Sequence, residues 1–390
     1  MQTPPTPQIH LNSNRRTNHP WISDRDVVKP AQKVRGGTVV DIIERSGQWV
    51  GRGFYNGHAR IAVRVLTTRR DENIDDAFFA GRLARAMELR QKLGIESVTN
   101  AYRLVHSEGD GLSGLVIDRF GDQLVVEYFA AGMYRFRPVI ERLLLERFPS
   151  ARIYFFMEQH LQKQESIDVR SPEPPVGPIT IHEHGLSFLV APGSKQKTGF
   201  FVDQRDNRRA LAELTRNGRV LDLCCSTGGF AIYARTLGGA AAVTGIDLDE
   251  SAMEVAQRNA ELNQAQVSWQ RADIYTWLRA AAAAGERYDV VVLDPARQTR
   301  DPRELDAALG RYLDMNKLAM AVTAPGGLLL SCSCSGLVRE EDFLEAIRRA
   351  GTSVGREAQI FRLSGAAPDH PFLAHALESR YLKAAWIRVN

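Results

Sequence analysis

Cysteine is scarce and confined. The 390 residues contain four, at positions 224, 225, 332 and 334. That is too few and too clustered to staple a chain of this size, so a disulfide scaffold is excluded. A zinc site built from the same four fails on ligand spacing, and no metal is expected. Long apolar runs are absent as well. None reaches the roughly 20 residues that a membrane-spanning helix needs. Residues 1–20 are polar and rich in Pro and Asn, without the apolar stretch of a secretory signal. A cytoplasmic chain with no membrane partner is the expectation. Also missing is a G-x-G-x-x-G fingerprint, which argues against a dinucleotide and so against a dehydrogenase.

A large net charge is lacking too: 50 Lys+Arg against 46 Asp+Glu leave +4. The distribution is uneven, however. Residues 1–70 hold 12 basic and 4 acidic residues, a net of +8, so the remaining 320 hold 38 and 42, a net of −4. A basic end on a mildly acidic body is the pattern of a nucleic-acid-binding module joined to something else. With 44% hydrophobic and 25% charged residues, the body has globular composition, and its length predicts two or three domains.

The spacing of apolar residues predicts the order of elements. Residues 1–20 read as a flexible tail. Segments 39–43, 49–55 and 59–67 are rich in β-branched and aromatic residues and are separated by Ser46-Gly47 and Asn56-Gly57 turns, the signature of a small sheet. Arg60 and Arg64 share its polar face. A helix over 75–93 ends at Gly94. Strands are predicted at 101–106, 115–119, 123–129 and 153–157. Between the last two, Phe136, Val139, Ile140, Leu143 and Leu144 repeat with helical period. Four prolines in 171–178 mark a linker, and 179–190 reads as a hairpin. From residue 204 strand and helix alternate. Strands at 219–224, 242–247, 267–270, 288–293 and 327–332 are separated by helices at 231–237, 251–262, 274–284 and 305–322, which means an α/β domain with a parallel sheet.

The chemistry gathers at the ends of these strands. The first runs through Val220-Leu-Asp-Leu-Cys-Cys-Ser-Thr-Gly-Gly-Phe230 into a helix. Glycine at Gly228 lets backbone approach a ligand, and the helix offers free N–H groups to it. The second strand ends at Asp247, the third at Asp273 and the fourth at Asp294-Pro295. Open parallel sheets bind ligands beyond the carboxyl ends of their strands. An acidic residue at Asp247 suits two ribose hydroxyls. A ligand with a ribose and no diphosphate fits S-adenosylmethionine.

This ordered set resembles the class I S-adenosylmethionine-dependent methyltransferases. Most of the chain is similar to the bacterial family that makes 5-methylcytosine in 23S ribosomal RNA. The stretches that carry the likeness are His19-Pro-Trp21, Gly51-Arg-Gly-Phe54, Gly109-Asp-Gly-Leu-Ser-Gly114 with Ile117-Asp-Arg-Phe-Gly121, Lys197-Thr-Gly-Phe-Phe-Val-Asp-Gln-Arg-Asp206, Ser226-Thr-Gly-Gly-Phe230, Asp294-Pro295, Ser333-Cys-Ser-Gly-Leu337, Asp369-His-Pro371 and Tyr381-Leu-Lys383. The resemblance implies a PUA RNA-binding domain over 21–95, a central α+β domain with linker over 96–178 and a Rossmann-like methyltransferase domain over 179–390. It also implies that Lys197, Thr198, Gly199 and Phe200 line the cofactor's methionine end and that Asp203, with Gln204, orders them. Ser226, Thr227 and Gly228 would wrap the cofactor, Asp247 would hold the ribose and Asp273 the adenine amine. Asp294 would orient the base, and Cys334 would be the nucleophile, with Cys332 a core residue. His370 is a candidate proton acceptor and equally a turn residue. Phosphate grip would come from Lys29, Lys33, Arg35, Arg52, Arg60 or Arg64. Where the family usually carries a second proline and an aromatic after Asp-Pro, this chain has Ala296-Arg297-Gln298, so Arg297 becomes the candidate for stacking on, or gripping, RNA. Family likeness alone points to a homodimer through the central module. Two rival readings stand beside this one: methylation of a ring nitrogen such as guanine N7, which needs no thiol, and a non-catalytic RNA-binding assembly factor.

Overall fold

The computed structural model describes residues 5–15, 17–175, 177–193 and 199–390. The chain divides into two compact units. The first comprises Met1–Ile181, Val190–Val202 and Pro368–Ser379; the second His182–Leu189, Asp203–Ala367 and Arg380–Asn390.

The first unit holds two sheets. Strands β1 (Gln8–His10), β2 (Trp21–Ser23), β3 (Thr38–Ile43), β4 (Trp49–Tyr55) and β5 (Ile61–Thr67) pair in the order β1-β3-β4-β5-β2. The expected flexible tail through residue 20 is therefore corrected. Gln8–His10 add a parallel edge to β3, and Ile9 and Leu11 are buried with Val40, Ile42 and Val63. Burial of two aliphatic side chains, each worth about 1.5–3 kcal/mol, outweighs the ordering of so short a strand. Strands β6 (Ala101–His106), β7 (Leu115–Phe120), β8 (Gln123–Tyr128) and β9 (Arg152–Phe156) form a four-stranded sheet in chain order.

Phe54 and Leu66 of the first sheet enter the same core as Phe79 and Leu83 of the helix Asp76–Lys92 and Leu104, Ile117 and Val126 of the second. The two sheets thus share one core. The helix itself forms as the sequence predicts. Asp75 accepts from the Phe78 N–H at 3.1 Å, Arg90 and Lys92 lie in its last turn, and Gly94 follows with φ of 64°.

Motifs that look functional turn out to build this unit. Asp110, in Gly109-Asp-Gly111, receives both guanidinium nitrogens of Arg90 at 2.6 and 2.8 Å and the His106 N–H at 2.6 Å. A Cβ on Gly109 would lie 1.9 Å from the Pro371 carbonyl oxygen, so only glycine fits. Trp21 of the His-Pro-Trp motif donates its ring N–H to Glu108 at 2.8 Å, and Ser113 donates to the same oxygen at 2.6 Å. Asp110→Ala leaves the buried Arg90 guanidinium without its counter-charge, a loss of about 3–5 kcal/mol. For a unit of this size the melting temperature should fall by on the order of 10 °C, which differential scanning calorimetry would read. An unchanged melting curve would contradict this account.

The second unit is the α/β body. It contains β12 (Arg219–Leu223), β13 (Ala242–Asp247), β14 (Ser268–Arg271), β15 (Tyr288–Leu293), β16 (Thr323–Ser333), β17 (Ala358–Ser364) and β18 (Lys383–Val389), ordered β14-β13-β12-β15-β16-β18-β17. The hairpin β10 (Ile179–Glu183) and β11 (Leu186–Val190) precedes them in the chain. β12 to β16 run parallel to one another, and β18 runs antiparallel to both β16 and β17. Val220, Leu221, Val290, Val291 and Val292 are buried, as a sheet covered on both faces requires. β17, β18 and the helix Glu340–Ser353 were not anticipated. Among the described residues, no helix is long and apolar enough to cross a membrane.

Candidate active site

Because β12 to β16 are parallel, their C-terminal ends share one edge, and the chain beyond each end supplies the site. After β12, the backbone turns through Cys224 (φ 59°), Ser226 (φ 47°) and Gly228 (φ 84°) before the helix Gly229–Thr236. Left-handed φ at two non-glycine residues costs roughly 1–2 kcal/mol each. The bonds around the loop hold it there. Ser226 N–H donates to Asp247 at 2.8 Å, Cys225 N–H to the Ile246 carbonyl at 3.1 Å, and Asn259 to the Thr227 carbonyl at 3.0 Å. A Cβ at Gly228 would meet the Trp269 ring at 2.7 Å.

The carboxylates differ in environment. Asp247 lies at the end of β13, and its two oxygens accept the Ser226 and Asp249 N–H groups at 2.8 and 2.9 Å. Each oxygen keeps a lone pair, enough for two vicinal hydroxyls. Asp273 is exposed and caps the helix Ile274–Ala283 through the Thr276 N–H at 2.9 Å. Asp294 follows β15 and accepts from the Gln204 amide at 3.0 Å. Gln204 in turn accepts from Asn207 at 2.6 Å, and Asp203 accepts from the Tyr381 hydroxyl at 2.5 Å. Asp222, inside β12, is fully enclosed. Its Oδ2 accepts the Ala231 N–H at 2.9 Å. Burial pushes its carboxyl up to about 8, against the pull of that N–H group, and nearby Asp294 and Asp247 add to the rise.

Cys334 sits one residue past β16, half-buried, with its thiol 3.8 Å from the Pro295 carbonyl. Adjacent strands thus bring Cys334 and the Asp294-Pro295 turn together. Further bonds stitch them: Ser335 accepts the Gln298 N–H at 2.9 Å and lies 3.0 Å from the Tyr312 hydroxyl, and Ser333 donates to Tyr312 at 2.9 Å. Cys332 is fully buried in the core beside Val292 and Trp386, and burial raises its thiol pKa well above normal. The two cysteines therefore differ in exposure as expected.

These groups are suited to S-adenosylmethionine. Asp247 has acceptors to spare, and the buried Ser226 hydroxyl has no hydrogen-bond partner among the described residues, the condition of a group awaiting a ligand.

Comparison with known proteins decides the family. The model for S-adenosylmethionine-dependent methyltransferases matches residues 137–372, more than half of the chain. The chain belongs to that family. A PUA-like domain model matches residues 12–68. Two proteins named Ribosomal RNA large subunit methyltransferase I are similar along nearly their whole length. That of Aeromonas hydrophila is 38% identical, covering 95% of this chain and 96% of its own. That of Klebsiella pneumoniae strain 342 is 37% identical, covering 95% and 94%. Among solved structures, a methyltransferase crystallised with SAH has a TM-score of 0.84 at 19% identity, covering 98% of this chain and 99% of that one. A SAM-dependent methyltransferase from Streptococcus mutans has 0.80 at 19%, covering 98% and 100%. The latter two speak for the fold.

Of the methyltransferase residues expected at the site, Asp203, Ser226, Thr227, Gly228, Asp247, Asp273, Asp294 and Cys334 belong to the second unit. Lys197 and Thr198 lie outside the described residues. Gly199 and Phe200 group with the first unit, where Phe200 is buried. His370 also belongs to the first unit, enclosed beside His106 with ring centroids 5.1 Å apart. Lys29, Lys33, Arg35, Arg60 and Arg297 are exposed. Arg52 and Arg64 are less available than expected. Arg52 pairs with Asp41 at 2.8 Å and Arg64 with Glu108 at 3.3 Å, so their charge is spent inside the fold. Arg60 lies one residue before β5 and is exposed. A cleft of about 610 Å3 in this unit is lined by Asn14, Arg15, Trp21 and Arg45, none of them anticipated as RNA contacts. Gln204 as the partner of Asp294, and Tyr312 and Gln298 as partners of Ser335 beside Cys334, carry no local sequence signal, since each pair is more than 20 residues apart.

Proposed function

We propose that this methyltransferase forms 5-methylcytosine in the RNA of the large ribosomal subunit, with Cys334 as a covalent nucleophile. The reading rests on one observation: a half-exposed thiol at the ligand edge of the sheet, beside the turn that carries Asp294. Carbon 5 of cytosine is a poor nucleophile. Addition of the Cys334 thiolate at carbon 6 gives the ring enamine character and makes carbon 5 reactive, which splits one hard step into two easier ones. S-adenosylmethionine supplies an electrophilic methyl group. Loss of the carbon 5 proton to a base then lets the Cys334 sulfur leave. Methylation of a ring nitrogen gives such a thiol nothing to do.

In this reading Asp247 holds the ribose, Asp273 the adenine amine, and Ser226 to Gly228 wrap the cofactor, with Lys197 to Phe200 at its methionine end. Asp294, steadied by Gln204, orients the cytosine. The basic first 70 residues grip phosphates through Lys29, Lys33, Arg35 and Arg60, and Arg297 meets RNA near the thiol. Support for ribosomal RNA comes from the relatives' names. The target base must leave its stack to reach the thiol, so an unpaired or locally opened nucleotide suits the site.

Purified protein, methyl-labelled S-adenosylmethionine and ribosomal RNA from cells lacking the gene should yield labelled 5-methylcytosine after digestion to nucleosides. Label in any other nucleoside, or none in the large-subunit RNA, would overturn the proposal.

A further inference from the structure

Lys383 opens β18 directly opposite Ser333 of β16, the residue before Cys334. It is 4% exposed, an expensive place for an ammonium group unless something needs the charge. Among the described residues no carboxylate pairs with it. Its Nζ donates to two backbone carbonyls, Ser335 at 2.7 Å and Tyr381 at 2.8 Å. The first belongs to the residue after Cys334, so the ammonium is docked on the peptide that carries the thiol. An ammonium has three donors, and two are used.

We propose that Lys383 is a positioning residue for methyl transfer: its ammonium holds Cys334 as the thiolate. The third N–H is the donor left for sulfur. Cys334 is among the groups whose charge acts on Lys383 and raises its pKa, whereas burial, the largest influence, lowers it to about 8. Arg380, Glu340 and Arg297 act on it less than Cys334 does. Arg380 is neutralised by Glu340 at 2.7 Å, and Arg297 is exposed. On the sulfur's side stand Asp294, bonded to Gln204, and the Tyr312 hydroxyl, bonded to Ser333 and Ser335. Asp294 is negative and opposes a thiolate. Among the described residues, Lys383 is thus the buried cation of this corner. The proton leaving Sγ passes to Nζ when the amine is neutral and to water when it is already an ammonium.

The inference deepens the reading of Cys334 as nucleophile, and its test needs no RNA. In the free enzyme, the rate of Cys334 alkylation by iodoacetamide, followed by peptide mass spectrometry across pH, reports the thiol pKa. Lys383→Met should move the midpoint up by ~1 unit or more, so that about tenfold less thiolate is present at neutral pH. Lys383→Arg should restore most of it. In turnover, kcat at pH 7 should fall by a similar factor in Lys383→Met and recover as pH rises, which a merely structural lysine would not produce. Coupling is reciprocal. In protein carrying 13C-labelled lysine, Cys334→Ala should therefore lower the Lys383 pKa, a measurement that survives if Lys383→Met fails to fold. An unmoved alkylation midpoint in folded Lys383→Met, or an unmoved lysine pKa, would overturn the inference. A shifted midpoint with no 5-methylcytosine formed would sink the cytosine assignment and leave the ion pair standing.

Discussion

On the covalent mechanism proposed above, Cys334→Ala should abolish methyl transfer to cytosine, by on the order of 10^4-fold or more in kcat/KM, while cofactor affinity stays within about twofold. The size follows from the chemistry. Without addition at carbon 6 the enamine never forms, and no neighbouring group can replace it: Ser333 and Ser335 are fully buried and committed to Tyr312. Roughly 5.5 kcal/mol of barrier corresponds to that factor. The invariance of binding follows from the layout. The loop through Ser226, Asp247 and Asp273 belongs to β12, β13 and the chain after β14, whereas Cys334 follows β16. Stability should hardly change, because the thiol is half-exposed. Cys332→Ala provides the contrast. It removes a fully buried sulfur from a packed core, so it should lower stability by about 1–2 kcal/mol and leave kcat nearly intact. Single-turnover assays with titration calorimetry on both variants would separate the roles. Retained cytosine methylation in Cys334→Ala would end covalent catalysis as an account.

Legibility tracked the range over which the physical signal is written. The strand 242–247, the strand 288–293 and the helix 305–322 coincide with the observed elements, because the apolar spacing that marks each one and the turn residues that bound it are local in the sequence. Gln8–His10 escaped notice because three residues cannot display a period, and only pairing with β3 makes them a strand. The acidic first turn of Glu340–Ser353 was a usable helix signal that went unread. The shared core of the first unit could not be seen, since Phe54 looks the same whether its ring meets its own sheet or another. At the site, the residues before and after strand ends were legible as a set. Their partners were not: Arg64 reads as a phosphate contact until Glu108, 44 residues away, is found beside it. Lys383 was legible only as part of a motif, and its meaning appears when the antiparallel β18 lays it against Ser333.

Asp222→Asn should stabilise the enzyme at pH 8 relative to pH 5. The wild-type carboxyl has a folded pKa pushed up to about 8 by burial, against roughly 3.9 in an unfolded chain. A raised folded pKa means that stability is complete below the unfolded value and is lost as pH climbs through the folded one. Below about pH 4 both states hold the proton and nothing is at stake. Between there and pH 8 the unfolded chain ionises while the folded one keeps its proton, so stability drains by up to ~1.4 kcal/mol per pH unit, at most roughly 5.5 kcal/mol in all. Above pH 8 the curve flattens. An asparagine keeps an oxygen for the Ala231 N–H, which Asp222 holds at 2.9 Å, and it does not titrate. The wild-type-minus-variant difference in unfolding free energy at each pH isolates this one group, since titrations elsewhere are common to both proteins. Urea unfolding at pH 5, 6.5 and 8 should show the variant gaining at every step. A difference that stays flat would mean that Asp222 is ionised inside the fold, and the buried carboxyl beneath the Ser226 loop would then have to be treated as an anion that Asp247 and Asp294 tolerate.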